Sequence, residues 1–474
     1  MGECFCVIIK EMNTEYDHTD PKSIERYAKG LIGRTFRYVV ENDAGTSSTI
    51  TDDGGFSKKG GLGVLLEERY FHYKANSESR PDFDEAGVEL KVTPYKYNSK
   101  NEKVAKERLV ISMIDYMNVV NEVFDDSHLW LKARLMLLIY YLYQKEIRDR
   151  LDYRIDYVSL FTPPEEDLAI IKSDFEKIVN KIKAGKAHEL SEGDTMYLAA
   201  CTKSSDSSVR RAQPYSDIPA KPRAFSFKSS YMTYVLNNYI VPNSHKVDAI
   251  ITGDKIVSFE KYVTDKINAY KGYSEEQLCA EFNIPAGENK PKNLEAILAY
   301  RILGVKSNKA EEFEKAGIRV KTIRVEANGS IRENMSFPAM KFAKIAAEDW
   351  EDSDFRNYLD ETRFFFVVYK YDSNGTLRLQ GCKFWNIPYS DLSEVEDVWR
   401  RTKMLVSGGL KFERINGKYQ SNFPKSSENP VCHVRPHARN ASDVDTLPDG
   451  RQFPKQCFWL NREYIEKQID DILD

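Results

Sequence analysis

The chain has 474 residues, 41% of them hydrophobic and 30% charged, and its formal net charge is −4. This length predicts two to three domains, each able to bury a sizeable core. The near-neutral balance excludes a globally basic nucleic-acid-binding protein, so any contact with DNA must come from local clusters of Lys and Arg.

Cysteine content and hydropathy indicate an intracellular protein. Seven cysteines without a regular spacing argue against a disulfide framework and fit a reducing cytoplasm. The longest apolar run, 135–143, is nine residues and too short to span a bilayer, so it predicts a buried strand. The N-terminus lacks the pattern of a secretory signal. We expect a soluble cytoplasmic protein with no membrane partner, in which residues 1–20 are a loose extension.

The first half of the chain predicts a mixture of helices and strands. A glycine-rich turn at 60–63 runs into an amphipathic helix that carries Glu67 on its first turns. A long helix starts after Pro163-Pro164 and stops at Gly185, because Pro is favoured in the first turn of a helix and Gly just after its end. The other predicted elements are a helix from near Ser23 and strands near 87–93, 108–115 and 135–143.

The second half follows the same order of elements. A turn-rich stretch between residues 237 and 254 separates two helical patterns and predicts a domain boundary. A long helix is expected from Asp391 to about Val406, and the aromatic run 364–369 is expected in a core strand. The predicted strands lie near 316–324, 363–371 and 378–385.

Residues 81–91 place two carboxylates and one ammonium in the pattern D-x6-E-x-K. In a period-2 strand the apolar residues that flank Glu89 point into a core, so Glu89 and Lys91 emerge together on the opposite face. Asp82 precedes Glu89 by seven residues and can return from the preceding turn as a second oxygen ligand for Mg²⁺. This pattern favours a metal-dependent nuclease. The alternative is an ordinary half-exposed strand, because Glu288-Asn289-Lys290 has the same E-x-K spacing.

A glycine-rich pattern upstream makes the interpretation more specific. K-G-x-x-G-x-L-L-E spans residues 59–67, and D-F-x-x-x-G-V-E-L-K spans residues 82–91. Together they resemble the mismatch-repair nicking endonuclease MutH, and still more the two-domain type II restriction enzymes that cut GATC and contain two MutH-like units. Further matching stretches are 181–193, 197–203 and 214–228. The resemblance covers roughly residues 21–474.

The resemblance implies an α/β fold of two tandem restriction-endonuclease-like domains, each a mixed central sheet flanked by helices. The implied boundaries are an extension at 1–20, a catalytic domain at 21–240, a linker at 241–254 and a catalytically altered DNA-binding domain at 255–474. The groups that match metal ligands are the side chains of Asp82, Glu89 and Glu67 and the carbonyl of Leu90. Lys91 would orient or deprotonate the attacking water. Lys132 and Lys59 match further active-site lysines, although both can equally be solvated surface charges.

An internal repeat at an offset of 230 residues relates 82–91 to 312–321. The matched positions are Asp82 and Glu312, Gly87 and Gly317, Glu89 and Arg319, Lys91 and Lys321 and, after a two-residue gap, Glu67 and Ala299. The metal ligands do not survive in the second copy, because a cation at the position of Glu89 repels Mg²⁺. We therefore expect the second domain not to cut.

A second motif suggests that the second domain still binds DNA. Cys432-His-Val-Arg-Pro-His-Ala438 resembles the MutH loop I-R-P-K-A, which reaches into the major groove. Arg435 is the expected base reader, with His437 beside it, because a guanidinium pairs in bidentate fashion with guanine. The matching position in the first domain is Cys201, so readout there would rely on Lys203 or its neighbours. Zinc is a weaker alternative for Cys432, His433 and His437, since no distant ligand pair accompanies them.

The densest basic stretch of the first domain is expected to contact phosphates, because Ser, Thr and Gln interleave with its cations. Its members are Lys203, Arg210, Arg211, Lys221, Arg223 and Lys228.

The resulting hypothesis is a bacterial, Mg²⁺-dependent type II restriction endonuclease that cleaves double-stranded DNA at GATC and leaves 5′-phosphates. Its second domain would bind a second site as a regulator, or associate with another copy on DNA. A cognate adenine or cytosine methyltransferase would protect the host. The alternatives are a MutH-like strand-nicking repair enzyme and a sequence-specific DNA-binding protein without catalysis.

Overall fold

A computed structural model describes residues 16–42, 61–73, 80–204, 206, 208–241, 247–252, 258–285, 287, 290–415, 418–440 and 442–473. By packing, the chain divides into two compact units. The first unit comprises Met1–Leu168 with Ala224–His245, and the second comprises Ala169–Arg223 with Lys246–Asp474, as far as these ranges are described. Packing therefore groups residues 169–223 with the second half of the chain, whereas the repeat places them in the first domain. The boundary at 241–254 stays a prediction about the repeat.

Helices and strands alternate along the chain in both halves. Up to residue 240 the helices are α1 (Pro21–Ala28), α2 (Phe36–Asn42), α3 (Gly61–Leu65), α4 (Tyr116–Val119), α5 (His128–Ala133), α6 (Glu165–Lys183) and α7 (Ser229–Val235). The strands are β1 (Glu89–Tyr97), β2 (Lys103–Ala105), β3 (Leu109–Met113), β4 (Met136–Leu142), β5 (Ile155–Phe161), β6 (Leu198–Thr202), β7 (Arg211–Gln213), β8 (Ser216–Ala220) and β9 (Arg223–Phe227).

The later helices are α8 (Phe259–Asn268), α9 (Glu275–Glu281), α10 (Leu294–Ile302), α11 (Glu311–Ala316), α12 (Phe342–Ala347), α13 (Asp354–Glu361), α14 (Leu392–Met404), α15 (Arg462–Gln468) and α16 (Asp470–Leu473). The later strands are β10 (Arg319–Val325), β11 (Met335–Ala339), β12 (Phe364–Tyr371), β13 (Leu377–Trp385), β14 (Phe412–Ile415), β15 (Lys418–Ser421), β16 (Cys432–Pro436), β17 (Val444–Thr446), β18 (Gln452–Pro454) and β19 (Gln456–Leu460).

The central sheet of the first unit, the first sheet, has the order β2-β1-β4-β5. Strand β1 is parallel to β4 and antiparallel to β2, and β4 is antiparallel to β5. Helices α1 and α3 pack against it. The apolar run that predicted a buried strand is β4, whose residues 136–141 are all buried, so that prediction is confirmed.

The core of the first unit extends into the segment that we expected to be loose. Tyr16 is buried among α1, the segment around Phe71 and the turn at Phe83, and its hydroxyl donates to the Phe71 carbonyl at 2.9 Å. A hydroxyl that is buried with a partner anchors its backbone, so residues 16–20 belong to the fold. Residues 1–15 lie outside the described residues.

The second unit has a sheet of the same plan, the second sheet, in the order β10-β12-β13. Strand β10 is parallel to β12, and β12 is antiparallel to β13. Helices α8 and α16 pack on β13, and α10 packs on β10. A further sheet, β11-β19-β16, contributes to the core of this unit together with α14. Among the described residues, no helix is long and apolar enough to cross a bilayer.

The two copies of the repeat also share a backbone conformation. Gly87 and Gly317 both have a left-handed φ, +65° and +68° respectively, just before β1 and β10. A side chain at such a φ is strained, which explains why glycine stands at both positions. Gly87 has little space as well, since an added Cβ would lie 3.1 Å from a guanidinium nitrogen of Arg134.

Candidate active site

Strand β1 presents Glu89 and Lys91 on one face, as its alternation predicts. Leu90, between them, points into the core of the first unit and is 4% exposed. Lys91 Nζ donates to Glu89 Oε1 at 2.7 Å. Glu89 is itself only 2% exposed, so this is a buried carboxylate with a cation beside it and not a solvated surface pair.

The turn between Asp82 and β1 brings the second carboxylate to the strand. Phe83 and Val88 form an antiparallel bridge across the turn that contains Gly87. Asp82 Oδ2 then accepts a hydrogen bond from the Leu90 amide at 2.8 Å. Burial, followed by the negative charge of Glu89, raises the pKa of Asp82 above its usual range.

Lys132 reaches the same carboxylate from a different element. It lies on α5, which leads into β4, the parallel neighbour of β1. Its Nζ lies 3.3 Å from Glu89 Oε1 and 3.2 Å from Oε2. Two ammonium groups therefore face one buried carboxylate. The other matching lysine, Lys59, lies outside the described residues.

Glu67 completes the group of acids. It lies in a single π-helical turn, Leu66–Tyr70, that continues α3, and such turns are frequent at functional sites. Burial, followed by the charges of Asp82 and Glu89, raises the pKa of Glu67 to about 7. A buried carboxyl group whose pKa is raised by two neighbouring acids is typical of a site that holds a cation.

The donor set of this site fits Mg²⁺. Within the described part of the chain, no three His, Cys, Asp or Glu side chains form a cluster that could hold a metal ion by themselves. Mg²⁺ does not require one, because it is usually bound by one or two carboxylates together with water and phosphate oxygens. Asp82 Oδ1 has no hydrogen-bond donor among the residues described, and burial, followed by the neighbouring acids, raises the pKa values of Asp82 and Glu67.

Tyr73 is a component of the site that the sequence did not single out. Its ring packs against Phe83 at 5.1 Å between centroids, and its buried hydroxyl has no hydrogen-bond partner in the described structure. Burial, and then the charges of Asp82, Glu67 and Glu89, raise the pKa of this hydroxyl. Nothing in the sequence distinguishes Tyr73 from the other 27 tyrosines, since only the tertiary fold brings it to the acids.

The residues of the expected DNA-contacting stretch divide into two groups. Lys203, Arg210 and Arg211 are exposed, the last at the start of the β7–β8 hairpin. The tip of this hairpin carries Tyr215, which is 74% exposed, and Ile218 is 53% exposed. These side chains are accessible to a duplex.

Three other members of the stretch are buried or paired within the protein. Arg223 is 3% exposed and donates from Nη1 to the Ala200 carbonyl at 2.6 Å. Lys228 is 4% exposed just before α7. Lys221 forms an ion pair with Glu351. The expectation of a DNA contact is therefore corrected for Arg223 and Lys228, because their burial and packing keep the side chains from solvent, and we do not carry these two into the proposed DNA surface.

The expected reader motif of the second unit forms the end of a strand. Cys432–Pro436 is β16, paired with β19, whereas we expected a loop beginning at residue 432. Arg435 is exposed, and its guanidinium carbon lies 5.3 Å from the centre of the Trp459 ring. His437 is also exposed beside this ring, at 6.2 Å between centroids. An arginine stacked on an aromatic ring is held in a defined direction.

The positions that match the acids hold a different arrangement in the second unit. Glu312 accepts hydrogen bonds from the amides of Ile250 and Ile251, so its carboxylate satisfies backbone groups. Arg319 stands at the start of β10, and Ala299 is buried on α10. This unit has no acidic pair at the matched strand positions.

The MutH family model, described as DNA mismatch repair enzyme MutH, matches residues 71–174 and 303–396. Two separate matches in one chain confirm the predicted fold of two tandem MutH-like units with mixed α/β structure. The type II restriction enzyme Sau3AI from Staphylococcus aureus is 38% identical over 498 aligned residues, covering 95% of this chain and 99% of that protein.

Two MutH proteins resemble a smaller part. The DNA mismatch repair protein MutH of Vibrio cholerae is 27% identical over 186 residues, which cover 38% of this chain and 80% of that protein. The MutH of Vibrio vulnificus strain YJ016 is 26% identical over 185 residues, with coverages of 38% and 78%. The alignment with Sau3AI therefore spans both matched segments, whereas a MutH protein corresponds to part of this chain.

Proposed function

The chain belongs to the family of type II restriction enzymes that includes Sau3AI and is therefore a site-specific deoxyribonuclease; we propose that it cleaves both strands of DNA at GATC in a Mg²⁺-dependent reaction. The observation that carries the catalytic assignment is the joining of Asp82, Glu89, Lys91 and Lys132 in one buried cluster on the first sheet. The target sequence rests on the resemblance and the family. A role in the bacterial cytoplasm, beside a protecting adenine or cytosine methyltransferase, follows from the same proposal.

Asp82, Glu89 and the Leu90 carbonyl would hold the Mg²⁺ ion, with Glu67 assisting. The chemistry that Mg²⁺ supplies at such a site is activation of water and neutralisation of charge on the phosphate. Lys91, freed in part from Glu89, would orient the attacking water as an ammonium group or deprotonate it as a neutral amine, and Lys132 would offset the developing negative charge. The water oxygen bonds to phosphorus while the P–O3′ bond breaks. The products are a 5′-phosphate and a 3′-hydroxyl, which takes up a proton.

For DNA contact we propose the exposed side chains Lys203, Arg210 and Arg211, with Lys221 released from Glu351 when a phosphate competes for it. In the second unit we propose Arg435 and His437. Their support is exposure and charge, since phosphate contacts come mainly from accessible Lys and Arg side chains. Arg435 has the additional support of its stacking on Trp459, which favours bidentate contact with guanine.

The second unit is proposed to be a regulator that binds another GATC site, either by looping one DNA or by associating with a second copy. Two observations support this role: the second unit has lost the acidic pair, and its Arg435 is exposed. Regulation requires that the second duplex binds one state of the protein better than another, since only differential affinity shifts an equilibrium.

The catalytic assignment is tested with the variant Lys91→Ala. Its cleavage of a GATC-containing plasmid in Mg²⁺ should fall below detection, while its DNA affinity in Ca²⁺ stays close to that of the native protein. The matched control is Lys96→Ala, because Lys96 is an exposed lysine on the same strand and should keep full activity. Cleavage by Lys91→Ala at the native rate would remove the assignment.

The products separate the proposal from the nicking alternative. A restriction enzyme converts a plasmid with one site to linear DNA, whereas a MutH-like nickase stops at the open circle. End mapping on unmethylated and adenine-methylated plasmids would identify the sequence, the cut position and the protecting methyl group. The non-catalytic alternative has no support from the family to which the chain belongs.

A further inference from the structure

The second sheet places two cations where the first sheet has an acid and a cation. In the parallel ladder of the first sheet, Glu89 pairs with Met136 and Lys91 with Leu138. In the second sheet, Arg319 pairs with Phe364 and Lys321 with Phe366, again at the start of the ladder. Arg319 and Lys321 therefore share the strand face that corresponds to the active-site face of β1.

Lys321 has no acidic partner among the residues whose positions the structure gives. Its side chain is half-buried, and its ammonium group makes no hydrogen bond or ion pair with any residue that the structure describes. Lys91 at the matched position has Glu89 at 2.7 Å. Half-buried ammonium groups normally acquire partners, because three strong donors have lost part of their water.

The nearby acids of the second unit are occupied elsewhere. The carboxylate of Glu312 accepts from the amides of Ile250 and Ile251. Glu295, which is 2% exposed, is paired with Arg324 of β10. Neither acid is paired with Arg319 or Lys321, so within the described ranges these two cations have no acidic partner.

The electrostatics agree with a missing anion. Burial, and then the charge of Arg319, lower the pKa of Lys321 below its usual range. Both effects oppose the charged form of the lysine, and a negatively charged group beside it would reverse the second. In the first unit Glu89 supplies this negative charge beside Lys91, whereas no acid of the described second unit does so beside Lys321.

The space for an anion is present. A cavity of about 560 Å³ in the second unit is lined by Lys321 and by Lys292, Asn293, Asn334 and Ser336 among others. Lys292 is an exposed lysine, and Asn293 and Ser336 carry amide and hydroxyl groups that can donate to phosphate oxygens. The wall also contains three acids: Glu295 and Glu326 are paired with Arg324 and Arg332, and Glu333 is exposed to solvent.

We propose that the face of β10 that carries Arg319 and Lys321, together with the cavity that Lys321 lines, binds a phosphate of the DNA backbone without a metal ion, with Arg319 and Lys321 as the two cationic contacts. The inference rests on the proposed function, because the second unit must bind a duplex for the site to have a ligand. Replacement of the metal-binding acid by Arg319 converts a site that cuts a phosphodiester into one that only holds it. Arginine suits this role, since its guanidinium forms paired hydrogen bonds with phosphate oxygens.

The proposal predicts metal-independent binding of a second duplex. The full-length protein is titrated in EDTA with a short GATC duplex at several salt concentrations, with sedimentation velocity to count duplexes per chain. The double variant Arg319→Gln/Lys321→Met should bind one of its duplexes about tenfold or more weakly, because each lost phosphate contact removes counterion release. The slope of log K against log salt for that duplex should flatten by about 2, as expected for two contacts.

The matched control is Lys261→Met/Arg400→Gln, which removes the same charges from exposed helix positions outside the cavity. It should bind like the native protein. Native affinity and slope in the Arg319→Gln/Lys321→Met variant, or a second duplex that binds only after Mg²⁺ is added, would overturn the proposal. Lys321→Met alone, which keeps the apolar stem, is the substitute if circular dichroism shows that the double variant is unfolded. Plasmid cleavage by the native protein separates the two proposals, since its absence would refute the proposed function and not the phosphate site alone.

Discussion

Lys132 lies 43 positions after Glu89, and yet its ammonium nitrogen is 3.2 Å from Glu89 Oε2. The contact depends on the parallel pairing of β1 and β4, because α5 delivers Lys132 at the start of β4 beside the start of β1. Both side chains are largely buried, with side-chain exposures of 14% and 3%. A cation held in this way keeps its position when substrate binds, which favours electrostatic stabilisation of a transition state.

Replacing this cation should slow the chemical step. We expect Lys132→Met to reduce the single-turnover cleavage rate by about 100-fold, as does loss of other preorganised charges that stabilise a transition state. DNA affinity in Ca²⁺ should change by less than about threefold, because the contact of Lys132 is with Glu89. Lys106→Met, a change at a surface lysine that stacks on Tyr143, is the control. An unaltered rate in Lys132→Met would mean that the lysine only balances charge.

Removal of the Tyr73 hydroxyl should separate function from stability. The group has no hydrogen-bond partner among the described residues, so Tyr73→Phe should not lower the melting temperature. If the hydroxyl contacts water or phosphate in the complex, cleavage should fall about tenfold, which corresponds to one lost hydrogen bond. Tyr70→Phe is the matched control. Its hydroxyl donates to the Tyr27 carbonyl at 2.8 Å, so that variant should lose about 1 kcal/mol of stability and keep its activity. A destabilised but fully active Tyr73→Phe would contradict the assignment.

The stability of the metal-free protein should depend on the ionisation of Glu67. Its pKa in the folded protein is raised to about 7 from a usual value of 4.5, so the folded state retains a proton that the unfolded chain releases. The resulting stabilisation is complete below about pH 4.5 and is lost as the pH rises to about 7. Burial and the charge of Glu89 raise the pKa of Asp82 too, which acts in the same direction.

Glu67→Gln should remove this dependence. At pH 8 in EDTA we expect the variant to be more stable than the native protein by on the order of 2 kcal/mol, with a smaller difference at pH 5. Urea unfolding at the two pH values measures the change. Glu68→Gln, at the exposed neighbouring position, should show the native pH dependence. The same pH dependence in Glu67→Gln and the native protein would show that Glu67 ionises as in the unfolded chain.

The regulatory role of the second unit predicts a difference between plasmids with one and two GATC sites. The native protein should cleave the two-site plasmid faster, and Arg435→Ala should reduce this rate to that of the one-site plasmid. Arg435→Lys distinguishes base reading from charge, because lysine cannot form the bidentate contact with guanine. It should behave like Arg435→Ala. Equal rates of the native protein on both plasmids would remove the regulatory role.

Local structure followed closely from the sequence. The predicted helix between Pro164 and Gly185 is α6, at Glu165–Lys183, and the strand expected near 363–371 is β12, at Phe364–Tyr371. Helix termini and buried strands are encoded by neighbouring residues, through Pro and Gly at the ends and through continuous apolar runs. The strand expected near 87–93 extends to Tyr97, because pairing with β2 and β4 continues past the motif.

Side-chain environments at long range could not be predicted in this way. The basic stretch suggested six contacts with DNA, but Arg223 and Lys228 are buried and Lys221 is paired with Glu351, which lies 130 positions away. Charge in a sequence does not reveal whether a lysine faces solvent or an acid from a distant element. Tyr73 was missed for the same reason, because only packing beside Phe83 brings its hydroxyl near the acids.

The sequence by itself determined the repeat, the matched glycines and the shared face of Glu89 and Lys91, because a two-residue strand period and a left-handed turn are properties of adjacent residues. The tertiary structure decided what surrounds them. Parallel pairing of β1 with β4 brings Lys132 to Glu89, and the same pairing of β10 with β12 leaves Arg319 and Lys321 without an acid among the described residues. Such charge balance arises between distant segments, where burial strengthens each interaction and no local pattern records it.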